Sequence, residues 1–377
     1  MNKQFVYNTV RTLIVITVLP VFMCLSCQKP EPALKDAFRE YFYIGAAVNA
    51  RQILGQDSLA HSFILKQFNS ITDENCLKWE RIHPFPDQYR FTLADSMVSF
   101  GYRNGLFVAG HTLIWHQQTP DWVFEDSMGN PLSRDSLLQR MQDHIFTVVG
   151  RYKGKVNGWD VVNEAIDDNG QLRKSRWLDI IGADYIEKAF QFAREADPDA
   201  ELYLNDYNIE SNGKREGAIQ LIEHLQDEGV RIDGIGIQGH WHLDTPDINV
   251  IDSAIQIFAG LGLKVMITEL DINVLPRPEN ISGADISQNF ELQKQLNPYP
   301  DNLPDSVQQK LADRYAEIFK VFVKNADKIS RVTFWGTHDA VSWKNNWPVR
   351  GRTNYPLLFD RNYQPKPAFY AVIATAK

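Results

Sequence analysis

Cysteine is scarce in this chain, with only Cys24, Cys27 and Cys76 among 377 residues. Cys24 lies in an N-terminal apolar run and Cys27 just past its end, so Cys76 is the one certain interior thiol and no intramolecular disulfide framework is expected. Its expected role is that of a small buried apolar side chain. Positive charge is also in short supply, 39 Lys and Arg against 47 Asp and Glu, a formal charge of −8. With no basic stripe either, a nucleic-acid partner is excluded, because gripping phosphates requires clustered Lys and Arg. There is no G-x-S-x-G elbow, no P-loop and no H-E-x-x-H, which removes the serine-hydrolase, nucleotide-triphosphate and zinc-protease readings. Gly234-Ile235-Gly236-Ile237-Gln238-Gly239 fits G-x-G-x-x-G. Its glycines lie inside an apolar run, however, and His240-Trp241-His242 follows where a helix should open, so a dinucleotide site is not expected. His240 and His242 alternate on one side of an extended segment. Nothing elsewhere supplies a third ligand at convincing spacing, and no metal is expected.

The N-terminus reads as a targeting segment. Lys3 and Arg11 precede an apolar run, Leu13 to Leu25, broken by Pro20. That run is too short to span a bilayer comfortably and fits the apolar core of a secretory signal. It ends Leu25-Ser26-Cys27, which resembles the lipidation site of bacterial lipoproteins, with Cys27 as the acylated residue. Cys24 stands where Leu or Val is usual, and Met23 makes Cys24 a poor alternative anchor. A plainly cleaved signal is the other reading. The expectation is a signal over residues 1–27, a tether over 28–41 and a single catalytic domain over 42–377. Such a protein crosses the inner membrane and stays lipid-anchored, in the periplasm or on the outer-membrane surface.

From Phe42 on, short apolar runs alternate with helical stretches. The pattern predicts strands at Tyr43–Val48, Ser70–Thr72, Leu106–Thr112, Val156–Val162, Glu201–Leu204, Gly234–Gln238, Lys264–Thr268 and Arg331–Phe334. It predicts helices at Ser58–Phe68, Leu93–Asn104, Ser133–Tyr152, Ala183–Ala196, Lys214–Glu228, Asn249–Leu261, Ser306–Asn325 and near Ala368–Ala376. Regular βα alternation implies parallel strands, and eight units match a closed (β/α)8 TIM barrel, an α/β fold. One connection stands out: residues 275–304 hold five prolines and little periodicity. Long loops without structure of their own tend to be functional.

Two of these runs end in glutamate, Gly158-Trp159-Asp160-Val161-Val162-Asn163-Glu164 and Lys264-Val265-Met266-Ile267-Thr268-Glu269. A carboxylate after a barrel strand sits where such enzymes keep their catalytic groups, and two suggest an acid/base pair for glycosidic bonds. A Glu after a strand is commonly a helix N-terminal residue or half of an ion pair. The company of Asn163 and other polar strand ends argues against that here, since burying so many polar groups is costly in a purely structural core. Trp79, Trp115, Trp335 and Trp343 fall at or just after strand ends. Each could be a lid on the core; as a set around one mouth they offer the flat apolar faces a sugar requires.

These residues carry a family resemblance. Trp159 to Glu164 and Ile267-Thr268-Glu269-Leu270-Asp271 resemble the acid/base and nucleophile signatures of the family-10 endo-xylanases. The resemblance continues through Glu74-Asn75 with Lys78-Trp79, Gly110 to His116, Gly236 to His240, and Phe334-Trp335-Gly336, spanning the chain from about Phe42 to the C-terminus. It implies an endo-β-1,4-xylanase acting on xylan or xylo-oligosaccharides, with Glu164 as acid/base, Glu269 as nucleophile and no cofactor. By the same resemblance His240 and Asp271 orient the nucleophile, and Asn163 and His111 meet the sugar bound to it. Glu74, Asn75, Lys78 and Gln238 line the glycone side, walled by Trp115, Trp335 and Trp343. For Lys78 an ion pair with Glu74 or Glu80 is the alternative. A β-1,4-glucanase and a non-catalytic xylan-binding protein are the competing readings. Nothing reveals a partner subunit, and a monomer is expected.

Overall fold

The computed structural model describes residues 32–279 and 286–376. Eight parallel strands close a barrel: β1 (Tyr43–Val48), β2 (Ser70–Asp73), β3 (Phe107–Trp115), β4 (Gly158–Asn163), β5 (Glu201–Asp206), β6 (Gly234–Ile237), β8 (Lys264–Asn273) and β9 (Ile329–Phe334). Pairing runs β6-β5-β4-β3-β2-β1-β9-β8, and a β6–β8 ladder completes the ring. A short strand β7 (His240–His242) pairs with the far end of β8. Almost every strand residue is buried, as expected for parallel strands covered by helices outside and packed side chains within. Seven predicted helices form to within two residues, among them 92–103, 134–151, 185–196 and 305–324. The last runs Pro367–Ile373 and passes into a 3-10 turn, and the short helices Leu34–Ala37, Ala50–Ile53, Trp79–Ile82 and Arg176–Ile181 are not among those predicted.

The structure extends the sequence-predicted strands at the end that matters. β3, β5 and β8 run on through Trp115, Asp206 and Asn273. β3 adds the apolar Leu113, Ile114 and Trp115 past the predicted Thr112, while in β5 and β8 polar side chains (Asn205 and Asp206; Glu269, Asp271 and Asn273) continue the ladder into the barrel mouth. Registers align Trp115 with Asn163, Asn163 with Asn205, and Asn205 with Gly236, giving one row across four strands. Gly236 is glycine for a steric reason. A Cβ there would lie 2.7 Å from Thr268 Cγ2 and closer still to Asn205 Oδ1. The middle glycine of the pattern that mimics a nucleotide loop is therefore space made for the Asn205 amide.

One boundary needs correction. The stretch expected as a tether to residue 41 belongs to the domain from Ala33. Leu34 and Phe38 are fully buried, the backbone N–H of Leu34 donates to Gln67 Oε1 at 3.0 Å, and Phe38 packs on Phe42 and Phe319. These two residues are four apart on one face of a helical turn, hidden in sequence among charged neighbours. The apolar signal run and Cys27 lie outside the described residues.

Candidate active site

Glu269 and Asp271 are two apart on β8, so their side chains share a face. His240, paired in register with Asp271, reaches between them. Its Nε2 is 3.0 Å from Glu269 Oε2 and its Nδ1 is 3.1 Å from Asp271 Oδ1. Asp271 also accepts from Trp343 Nε1 at 2.7 Å, and Lys344 Nζ stands 3.6 Å away. The other oxygen of Glu269 accepts from Asn205 Nδ2 at 2.8 Å. Burial opposes ionisation of Glu269, yet the His240 hydrogen bond, the charges of His111 and His240 and the Asn205 donor hold its pKa below the usual range. For His240, burial is likewise overcome by the Asp271 charge and its hydrogen bonds, and its pKa is raised. His240 and His242 are thus engaged separately, His242 by Asn273 and Arg277.

Glu164 follows β4 in a left-handed conformation, φ 57°, that costs a non-glycine residue roughly 1–2 kcal/mol. Surrounding bonds hold it there. Its N–H donates to Asn205 O at 2.8 Å, and Arg173 Nε donates to its carbonyl at 2.8 Å while clamping Ile166 and Tyr207. The carboxylate accepts from Trp115 Nε1 at 2.9 Å and Gln238 Nε2 at 3.2 Å. Its pKa is raised, by burial first and then by the negative charges of Asp206 and Glu269, which the two donors only partly offset.

Two amide residues brace this pair crosswise. Asn205 takes the backbone N–H of Glu164 on its carbonyl and gives its side-chain N–H to Glu269. Gln238 takes the backbone N–H of Glu269 on its carbonyl, at 2.7 Å, and gives its side-chain N–H to Glu164. Thr268 Oγ1 donates to Asn205 Oδ1 at 2.6 Å, which fixes the amide so that Nδ2 faces Glu269 and the Asn163 Oδ1 at 2.9 Å.

The two glutamates open on a cleft of about 620 Å³. All eight residues expected to bind sugar border it, as do Asn163 and His240; Asp271 sits one layer behind. His111 is held by Asp160 Oδ2 at 2.9 Å and meets Trp335 edge-on. Lys78 forms neither alternative ion pair: its ammonium donates to Asn75 Oδ1 at 3.3 Å and lies 5.0 Å from the Trp115 ring centre. Burial and the adjacent Asp73 charge push Glu74 to about 7, with Lys78 pulling the other way. Trp79 is the exception among the expected tryptophans. It is buried and stacked on His144 at 3.6 Å, part of the core and not of the mouth. The proline-rich loop contributes Ile286 to the cleft.

Sequence reasoning missed Asn205, Asp206, Arg173 and Lys344. For Asn205 and Asp206 a signal existed, a polar doublet directly after an apolar strand, the same sign that marked Asn163 and Glu164. Lys344 follows Trp343 in a loop and carries no such mark.

Residues 33–375 match the profile of Glycosyl hydrolase family 10. Endo-1,4-beta-xylanase A of Xylanibacter ruminicola is 46% identical over 343 residues, covering 91% of this chain and 93% of the relative. Beta-1,4-xylanase of Dictyoglomus thermophilum is 46% identical over 345 residues, covering 91% and 90%. Among solved structures, a GH10 endoxylanase retrieved from a sugarcane soil metagenome superposes with a TM-score of 0.89 at 44% identity, covering 91% of this chain and 99% of that one.

Proposed function

The chain belongs to glycosyl hydrolase family 10, and from that premise we propose how its site works as an endo-1,4-β-xylanase that cleaves internal xylosidic bonds with retention. The observation that carries the reading is one cleft holding two equally buried glutamates with oppositely shifted pKa values. In the first step ionised Glu269 attacks the anomeric carbon, the glycosidic C–O bond breaks, and neutral Glu164 passes its proton to the leaving oxygen. Esterified Glu269 no longer carries charge. The repulsion that helped keep Glu164 protonated is then gone, so its pKa falls and it becomes a base. In the second step Glu164 takes a proton from water, the water oxygen bonds to the anomeric carbon, and Glu269 leaves as carboxylate.

Asn163 and His111 border the sugar attached to Glu269, and hydrogen bonds to its 2-hydroxyl that strengthen in the transition state are worth several kcal/mol, roughly. Trp335 and Trp343 wall the same subsite, leaving little room for the extra hydroxymethyl of glucose. Such steric discrimination typically amounts to about 1–3 kcal/mol. Following soluble xylan hydrolysis by NMR tests the assignment. The β-anomer should appear first, and Glu269→Ala should abolish the reaction. Initial α-anomer would overturn the role of Glu269.

We also propose that Cys27 is lipidated after export across the inner membrane, holding the enzyme at a membrane in the periplasm or on the outer surface. Support comes from the apolar run Leu13–Leu25 and the sequence Leu25-Ser26-Cys27. Cys27→Ser should move the protein from the membrane fraction to the soluble fraction, and retention in the membrane fraction would refute the anchor. Because both glutamates and their braces come from one chain, the reading requires only a monomer.

A further inference from the structure

In a barrel of this type the outer helices run back toward the strand starts, so the connections into the strands form a floor opposite the catalytic mouth. The chain enters the domain at that floor. The backbone N–H of Leu34 reaches Gln67, the last residue of helix 60–67, and Phe38 packs on Phe319 in the lower part of helix 305–324. Five residues, Gln28 to Pro32, separate Cys27 from Ala33. Fully extended, that stretch reaches about 20 Å. The width of a domain of this length is on the order of 50 Å. A lipid on Cys27 therefore holds the floor near the bilayer and cannot bring the mouth to it.

Charge divides the floor into two halves. Each connection is taken from the last helical turn to the first strand residue. Those into β1 to β4 expose six cations, among them Arg39, Arg103, Lys153 and Lys155, against two carboxylates, Asp36 and Glu40. One of the six, Arg151, pairs with Asp95 at 2.6 Å. Beneath β5, β6, β8 and β9 the balance reverses, with five exposed carboxylates, among them Asp199, Asp227 and Glu228, against three cations. In a chain of formal charge −8 the basic half runs against the overall balance. Tyr43 and Tyr102 lie in that same half, 47% and 58% exposed, and Tyr43 packs on Phe107 with ring centres 5.4 Å apart. Tyrosine suits the headgroup level, where its ring and its hydroxyl meet different media. Lys and Arg within about a Debye length of an anionic bilayer are drawn to it. The entry point, beneath β1, is also in this half.

We propose that the half of the floor beneath β1 to β4 rests on anionic phospholipid headgroups, so that the catalytic cleft opens away from the membrane. The proposal builds on the Cys27 anchor proposed above. The short tether brings the floor close, and the division of charge selects which half touches.

The test uses the lipidated chain in vesicles of phosphatidylcholine with roughly 30% phosphatidylglycerol and a quencher on the headgroups. A fluorophore is placed on one new thiol at a time: Asn104→Cys on the basic half, Pro198→Cys on the acidic half, Met128→Cys on the mouth side after β3. All three positions are exposed, whereas Cys76 is buried and does not compete for label. The Asn104→Cys label should be quenched about fivefold more than the Met128→Cys label, with Pro198→Cys between. Lys153→Glu with Lys155→Glu, or about 0.5 M salt, should cut the quenching at Asn104→Cys roughly threefold. Hydrolysis of soluble xylan by the charge-reversed chain should stay within about twofold, which shows that it is folded, since both lysines are exposed and on the far face from the cleft. Equal quenching at Asn104→Cys and Met128→Cys, or quenching indifferent to charge reversal and salt, would overturn the proposal. Shielding of the Asn104→Cys label without vesicles, through self-association, would make this face a contact between copies and also defeat it. A chain that never fractionates with membranes would instead refute the Cys27 anchor. Sedimentation of the unlipidated chain with the same vesicles then decides the floor: binding lost on charge reversal upholds it, and no such binding overturns it.

Discussion

Glu164 and Glu269 make a controlled comparison within one molecule. They are the same residue type, 6% and 5% exposed, on neighbouring parts of one barrel mouth. Burial pushes both toward neutrality, yet only Glu164 ends there. The difference lies in the sign of what surrounds them. Glu164 faces two carboxylates and two uncharged donors; Glu269 faces two histidines and an amide donor. Desolvation alone therefore does not assign acid and nucleophile. The neighbours do, and each can be altered.

The largest effect should come from removing the nucleophile. Glu269→Ala should lower kcat on every xylan-derived substrate by on the order of 10⁵-fold, measured as reducing-end release. Glu164→Ala should cost about 10²–10⁴-fold on xylan. With an aryl xyloside whose leaving group needs no proton, the first step should be nearly spared, visible as a burst of released phenol; equal losses on both substrates would break the assignment of roles.

The pH profile sharpens the comparison further. In kcat/KM the acid limb reports Glu269, which must be ionised, and the alkaline limb reports Glu164, which must be protonated. His240→Asn removes a donor and a positive charge, so the Glu269 pKa should rise and the acid limb should move to higher pH, with kcat falling roughly tenfold to a hundredfold. Asp206→Asn removes a negative charge, so the Glu164 pKa should fall and the alkaline limb should move to lower pH. Asp206 also pairs with buried Lys214 at 2.8 Å, and breaking such a pair costs about 3–5 kcal/mol. Asp206→Asn combined with Lys214→Met separates the pH shift from the stability loss. A profile unchanged in both variants would mean that neighbour charge does not set the roles. The smallest effect is steric: Gly236→Ala should displace the Asn205 amide, costing about 1–3 kcal/mol of stability, read as a lower Tm with a modest drop in kcat.

The sequence disclosed the barrel because apolar runs report buried strands directly. It disclosed the two glutamates because each interrupts such a run. It hid Asn205 and Asp206, since Asn-Asp-Tyr-Asn also spells a turn, and only register shows that the strand continues. Trp79 was misplaced because sequence order says a tryptophan follows β2 but not that its short helix turns it inward onto His144. Leu34 and Phe38 were lost among prolines and charges, where two apolar residues make too brief a pattern to register. In each case the missing information was a long-range contact.

The crosswise bracing by Asn205 and Gln238 has one more implication. The gap between two carboxyls decides whether a sugar departs with its configuration kept or reversed. During turnover one carboxyl gives up and regains a proton while the other takes on and releases a sugar, so the negative charge in the cleft moves from one to the other and back. Primary amides neither gain nor lose protons in that range. The gauge that sets stereochemistry is thus built from parts that do not titrate, and it keeps its setting while everything it measures is changing.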